Sequence, residues 1–128
     1  MRLLLQHKAQ VNYEDGEGWT PLHWAAKKNA ADLGAVLLEG GADKDWKDLK
    51  GMVPMHRTVC NDNAAFAMLL VRASCDVNAR DCRGRTPLNR AISNRRHECT
   101  TVLIQGGADV NAKDSWVLIN RPLITMHD

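Results

Sequence analysis

The sequence predicts an all-α solenoid: helix-turn-helix repeats stacked side by side, with β-turn loops protruding between them. Three observations carry that prediction. The stretch Gly18-Trp19-Thr20-Pro21-Leu22-His23-Trp24-Ala25-Ala26 returns, eroded, at Gly51 to Val59 and again at Gly84 to Ile92, each copy starting 33 residues after the last. A second stretch keeps the same period, reading Ala9-Gln10-Val11-Asn12, Ala42-Asp43-Lys44-Asp45, Cys75-Asp76-Val77-Asn78 and Ala108-Asp109-Val110-Asn111. Apolar residues recur at i, i+4 between the two signatures, as Leu33/Leu37, Phe66/Leu70 and Cys99/Leu103, which is the stripe of an amphipathic helix. A fixed period of this length marks units that cannot bury their apolar faces alone and therefore stack.

The elements follow in order within each period. Asp15, Asp48, Asp81 and Asp114 share one phase, and the first three precede a turn ending at Gly18, Gly51 or Gly84. A short acceptor side chain that bonds its own backbone suits such a turn, so these aspartates read as structural. Thr20 and Thr86 then cap the first helix, and Pro21, Pro54 and Pro87 occupy its first position, where a missing N–H costs nothing. Val53 has no capping oxygen, so the middle first helix is expected to be the least secure, by about 1 kcal/mol. Asn29, Asp62 and Arg95 fall where the chain turns into the second helix and needs a left-handed backbone, which Arg tolerates less well than Asn or Asp. Gly41 and Gly107 suit the end of that second helix, whereas Lys8 and Ser74 replace the glycine and weaken their caps. Cys99 lies in the apolar stripe and reads as a small core residue.

The core motif Thr-Pro-Leu-His-x-Ala and the 33-residue period resemble the ankyrin repeat family over roughly residues 3 to 114. The resemblance implies an ankyrin-repeat solenoid. The expected organisation is one domain over 1–128, with a partial N-terminal repeat at 1–14 and repeats at 15–47, 48–80 and 81–113. The pattern fails after Asp114, and 114–128 is either a degenerate C-terminal cap or a tail. The chain opens inside a second helix whose first helix is missing, which fits a fragment of a longer array or a shortened natural cap. In this family the histidine held here by His23 and His56 ties neighbouring turns together, and Asn89 is its shorter substitute.

Composition narrows the function. The chain of 128 residues is 45% hydrophobic and 25% charged, with a net charge of +2, so its total does not point to nucleic acid. No apolar run approaches the roughly 18 residues of a membrane span. The opening Met1 to Leu5 is too short an apolar run for a signal peptide, and Gln6-His7-Lys8 interrupts it. Cys60, Cys75, Cys82 and Cys99 show neither zinc spacing nor a disulfide framework, so reduced thiols in a cytoplasmic or nuclear protein are expected. Phosphate-loop, dinucleotide, zinc-protease and serine-hydrolase motifs are all missing. The expectation is a binding module that is not an enzyme and uses no cofactor or metal.

The informative positions are those the repeat leaves free. In ankyrin repeats these are the turn tips and the exposed face of the first helix, which together line a concave groove. By phase, the first repeat supplies Glu14, Glu17, Trp19, Lys27 and Lys28. The second supplies Lys47, Leu49, Lys50, Met52 and Asn61. The third supplies Arg80, Arg83, Arg85, Ser93 and Asn94, and the next turn Lys113 and Trp116. After the first turn this set is basic, so it would attract and orient a protein partner with an acidic face. Trp19, Met52 and Trp116 are the expected anchors. Trp24 and Trp46 are ambiguous, as both would also serve as filler between repeats.

Within the family, Ala9-Gln10-Val11-Asn12, Thr20-Pro21-Leu22-His23 with Lys28-Asn29, Leu37-Leu38-Glu39-Gly40-Gly41-Ala42, Lys47-Asp48 and Met55-His56-Arg57 resemble gankyrin-like assembly chaperones of the proteasome regulatory particle. That likeness implies a partner in the C-terminal helical domain of a proteasomal ATPase subunit. It fades after Arg57, and the retinoblastoma-binding L-x-C-x-E motif of those proteins is missing. Two alternatives stay open: a regulatory fragment of a larger enzyme, and an oligonucleotide sensor. For the latter, Glu17-Gly18-Trp19-Thr20-Pro21-Leu22-His23 is similar to the first repeat of the ankyrin domain of ribonuclease L.

Overall fold

Three successive units, each a turn followed by a seven-residue helix and a nine-residue helix, make up the structure, a computed structural model that describes residues 11–112. The expectations for residues 1–10, Lys113, Trp116 and 114–128 lie outside the described residues. The helices are α1 Pro21–Lys27, α2 Ala31–Glu39, α3 Pro54–Cys60, α4 Ala64–Arg72, α5 Pro87–Ser93 and α6 His97–Gln105. The first helices α1, α3 and α5 pack against one another in sequence, and the second helices α2, α4 and α6 do the same. The result is two helical layers with the turns projecting from one edge. Among the described residues there is no strand, and no helix is long and apolar enough to cross a membrane.

Helix starts follow the threonines. Thr20 Oγ1 accepts from His23 N at 3.4 Å and Thr86 Oγ1 from Asn89 N at 3.1 Å. Val53 has no such group, and His56 N donates instead to the Val53 carbonyl at 2.9 Å. The otherwise orphaned donor is therefore satisfied by backbone. The turns between paired helices sit in the left-handed region at Asn29, Asp62 and Arg95, with φ of 54°, 54° and 56°. Ser74 holds φ 64° where Gly41 and Gly107 hold 96° and 92°, so the serine carries a steric strain the glycines avoid.

The core forms where small and large residues of successive units interlock. Leu22, Met55 and Leu88 share one phase, Leu37, Leu70 and Leu103 another, and all six are buried. Phe66 is fully buried beneath Gly34, where an added Cβ would lie 2.6 Å from the ring. Cys99 occupies the Phe66 phase one unit later and is also fully buried. Leu33, expected in the same stripe, is 48% exposed. At the other end Ile92 is 58% exposed, although its counterparts Ala26 and Val59 are fully buried.

Polar ladders tie the units together. His23 Nε2 donates to the Met52 carbonyl at 2.9 Å, and His56 Nε2 to the Arg85 carbonyl at 2.8 Å. A carbonyl only accepts, so Nε2 carries the proton. Nδ1 is then free to accept from the Thr20 or Val53 amide, at 3.1 and 3.2 Å. Asn89 makes a two-ended tie of its own, accepting from Thr86 N at 3.0 Å and donating to the Ala112 carbonyl at 2.9 Å, 23 residues on where the histidines reach 29. On the opposite loops, Asn12, Asp45 and Asn78 each accept from the backbone N–H of the next unit's loop, at 2.8, 2.9 and 2.8 Å.

Candidate functional site

The edge formed by the turns and first helices is built on the turn aspartates. In each, one carboxylate oxygen closes the turn. Asp48 Oδ1 accepts from Lys50 N and Met52 N, both at 2.9 Å, and Asp81 Oδ1 accepts from Arg83 N and Arg85 N, both at 2.9 Å. The second oxygen takes a donor from the residue nine positions on. Arg57 Nη2 reaches Asp48 Oδ2 at 2.6 Å, Arg90 Nε reaches Asp81 Oδ2 at 3.0 Å, and Trp24 Nε1 reaches Asp15 Oδ2 at 3.0 Å. The Asp48 and Asp81 side chains are 0% and 1% exposed. Burial would raise the Asp81 pKa, but the Arg85 amide, the Arg90 guanidinium and the Arg83 amide outweigh it and hold the carboxyl below its usual value. Asp15 is likewise lowered, chiefly by the Trp19 amide.

The Asp48 and Asp81 pairs bury two negative charges and leave the second and third turns to cations, while the first turn keeps Glu14, Asp15 and Glu17 exposed. At its first end Trp19 and Trp24 lie 4.7 Å apart between ring centroids, tilted by 50°. Lys27 Nζ stands 5.6 Å from the Trp19 ring and 5.3 Å from the Trp24 ring. From the second unit, Arg57 sets its guanidinium 4.4 Å from the Trp19 centroid. Such contacts join the charge of a cation to the negative face of the ring.

The turns are also joined directly. Leu49 N donates to the Glu17 carbonyl at 3.1 Å, and Cys82 N to the Lys50 carbonyl at 3.0 Å. This approach requires glycine. A Cβ on Gly18 would lie 2.8 Å from Leu49 N, and one on Gly51 2.7 Å from Cys82 N. Between the second and third units the edge opens into a recess of about 440 Å³, walled by Lys50, Arg57, Arg83 and Arg90 with Met52, Cys60 and Cys82. Among the described residues no group of three or more His, Cys, Asp or Glu is arranged to hold a metal ion.

A family model for ankyrin repeats, in three copies, matches residues 1–48 and again 29–114. The chain is an ankyrin-repeat protein. A search of curated proteins gave no match. Membership makes this a protein–protein interaction module at the level of its family.

Against that membership, the expected contact residues separate into groups. Lys27, Lys28, Lys47, Leu49, Lys50, Arg80 and Arg83 are all exposed on or beside the edge, Leu49 to 74%. Arg85 and Trp19 are half-buried. Lys47 Nζ donates to the Arg80 carbonyl at 3.0 Å, bridging two units, and Arg80 donates to the Gly84 carbonyl at 2.5 Å. Met52 corrects the expectation of an exposed anchor, because it is 5% exposed. The third turn crosses directly beside it, and a methionine is short enough to be covered where the larger Trp19 indole is not.

Three contributors were not expected from phase. Trp24 is 41% exposed and part of the aromatic cluster rather than filler. Arg57 and Arg90 line the recess, and each neutralises a turn aspartate. A signal for all three was present: each stands nine residues after a turn aspartate and carries a donor. Trp46 is half-buried.

Proposed function

We propose that the turn-and-first-helix edge docks an acidic segment of a partner protein, with the second and third units holding its negative charge and the Trp19–Trp24 cluster holding an apolar anchor. The observation that carries this reading is the disposal of the turn aspartates. With Asp48 and Asp81 buried and each paired to an arginine, the exposed charge of these turns comes from Lys47, Lys50 and Arg83. A one-signed face speeds encounter with an oppositely charged partner and fixes its register. Half-exposed tryptophan beside cations is the residue type that concentrates binding energy.

The gankyrin-like version of this reading, a grip on the C-terminal helical domain of a proteasomal ATPase subunit, rests on the residues shared over 9–57. Many of these are scaffold, since Leu37, Met55 and His56 are buried. Lys28 and Lys47 are exposed and Arg57 reaches Trp19, so the specific version depends on these three. The oligonucleotide alternative draws less support. Stacking a base needs an open ring face, and Trp19 is already engaged by Arg57 and Trp24.

The test is the anisotropy of a fluorescein-labelled, glutamate-rich helical peptide titrated with the protein. Lys47→Glu combined with Arg83→Glu is expected to abolish binding while leaving the melting temperature within about 3 °C. Undiminished binding by the folded double variant would sink the reading.

A further inference from the structure

We propose that the recess between the second and third units receives a phosphorylated side chain of the docked polypeptide, a phosphomonoester dianion that sits between Lys50 and Arg83. The inference rests on the docking reading and names the group recognised at its centre.

Charge is the first argument. Four cations line the recess, and two of them, Arg57 and Arg90, are taken by the buried Asp48 and Asp81. Neither Lys50 nor Arg83 has an ion-pair partner among the described residues, and both are exposed. The wall therefore carries an excess of two positive charges. A phosphomonoester carries nearly two negative charges at neutral pH and offers three acceptor oxygens, whereas a carboxylate carries one charge. A guanidinium fork matches phosphoryl oxygens two at a time, and an ammonium adds a point charge.

Repeat symmetry is the second argument. Moving back one period, Arg90 becomes Arg57 and Met52 becomes Trp19. Between the first and second units an indole ring therefore lies on the guanidinium, 4.4 Å from it. Between the second and third units the ring is replaced by a buried methionine, and the recess opens there. The architecture thus accepts a flat ring at this position and does not supply its own. The sulfur-bearing wall of Met52, Cys60 and Cys82 suits an aromatic group. Phosphotyrosine uses both halves of the recess; phosphoserine uses only the charged half.

The experiment titrates the intact chain with the N-acetyl amides of phosphotyrosine, phosphoserine, tyrosine and glutamate, and with inorganic phosphate. The Lys50 amide and the Nε–Hε signals of Arg83 and Arg90 are followed by 15N NMR. Saturable shifts are expected with the phosphoesters, stronger for phosphotyrosine. Affinity should fall at least about tenfold in Lys50→Gln/Arg83→Gln, whose exposed sites leave the fold intact. It should rise as pH increases through about 6, where the phosphoryl group takes its second charge.

No saturable shift, equal binding by the double variant, or glutamate binding as strongly as the phosphoesters would each overturn the inference. Inorganic phosphate binding as tightly as the esters would overturn the assignment to a polypeptide side chain. The labelled glutamate-rich peptide, titrated into the same sample, keeps the two readings apart. If it binds while no phosphoester does, the docking edge stands and the phosphoryl recess falls.

Discussion

Arg57 serves two partners at once: its guanidinium closes on the buried Asp48 carboxylate at 2.6 Å and lies 4.4 Å from the Trp19 ring. The first contact neutralises a turn of its own unit. The second reaches back to the preceding unit, so one side chain links turn closure to the stacking of repeats. It also fixes the indole that is proposed to anchor a partner.

The two contacts are weighed against each other by comparing a substitution that removes both with one that spares the carboxylate pair. Arg57→Ala leaves Asp48 buried with its turn amides but without a counter-charge, and removal of one member of a buried pair typically costs about 3–5 kcal/mol. Trp19→Ala spares the carboxylate pair and removes the ring's contact with Arg57, worth about 1 kcal/mol, together with its contacts to Trp24 and Lys27. Urea unfolding of both variants is expected to rank Arg57→Ala as clearly the more damaging. Equal or reversed losses would show that the ring, and not the carboxylate, is what Arg57 serves.

Acid should weaken the stack through its buried histidines. Burial lowers the His56 pKa to about 4 and lowers that of His23 in the same direction. In the unfolded chain each titrates near the ordinary value of about 6.5. Above that pH both states hold the neutral ring and stability is complete. For His56, between about 6.5 and 4, only the unfolded chain takes up the proton, so stability falls as pH falls, and the lowered His23 pKa acts with the same sign. For His56 the loss approaches on the order of 3 kcal/mol at the low end. His56→Asn, which copies the tie made by Asn89, is expected to flatten this part of the stability–pH curve without abolishing folding. A curve unchanged from the parent would contradict the assignment.

Gly51 is expected to be far less replaceable than Gly16. An alanine at 51 meets backbone, 2.7 Å from Cys82 N, at a φ of 73°, whereas Gly16 has open space around it. The left-handed backbone alone costs roughly 1–2 kcal/mol. The clash would also part the second and third turns, breaking the Cys82–Lys50 bond. Thermal melts should place Gly51→Ala several degrees below the parent and Gly16→Ala close to it.

Much of the scaffold was legible because each structural need recurs every 33 residues, met by the same residue type or a near substitute such as Asn89 for His56. Helix caps, left-handed turns, the histidine tie and the leucine core all repeat, and repetition separates them from the rest. The edge was less legible, since its character depends on neighbours one period away. Met52 looked like an anchor by phase, but the crossing of the third turn buries it. Trp24 was ambiguous by phase, and the structure shows its indole N–H taking the place that the Arg57 and Arg90 donors hold at their own turn aspartates. Leu33 looked like core, but it is 48% exposed.

The most direct test of the docking edge is a charge exchange. Glutamate-rich and lysine-rich peptides of equal length are titrated into the parent chain and into Lys47→Glu/Lys50→Glu/Arg83→Glu, all at one ionic strength. The expected result is that the parent binds the acidic peptide and the variant binds the basic one. If both proteins bind the acidic peptide equally, or neither peptide distinguishes them, the partner is not held by the charge of this edge.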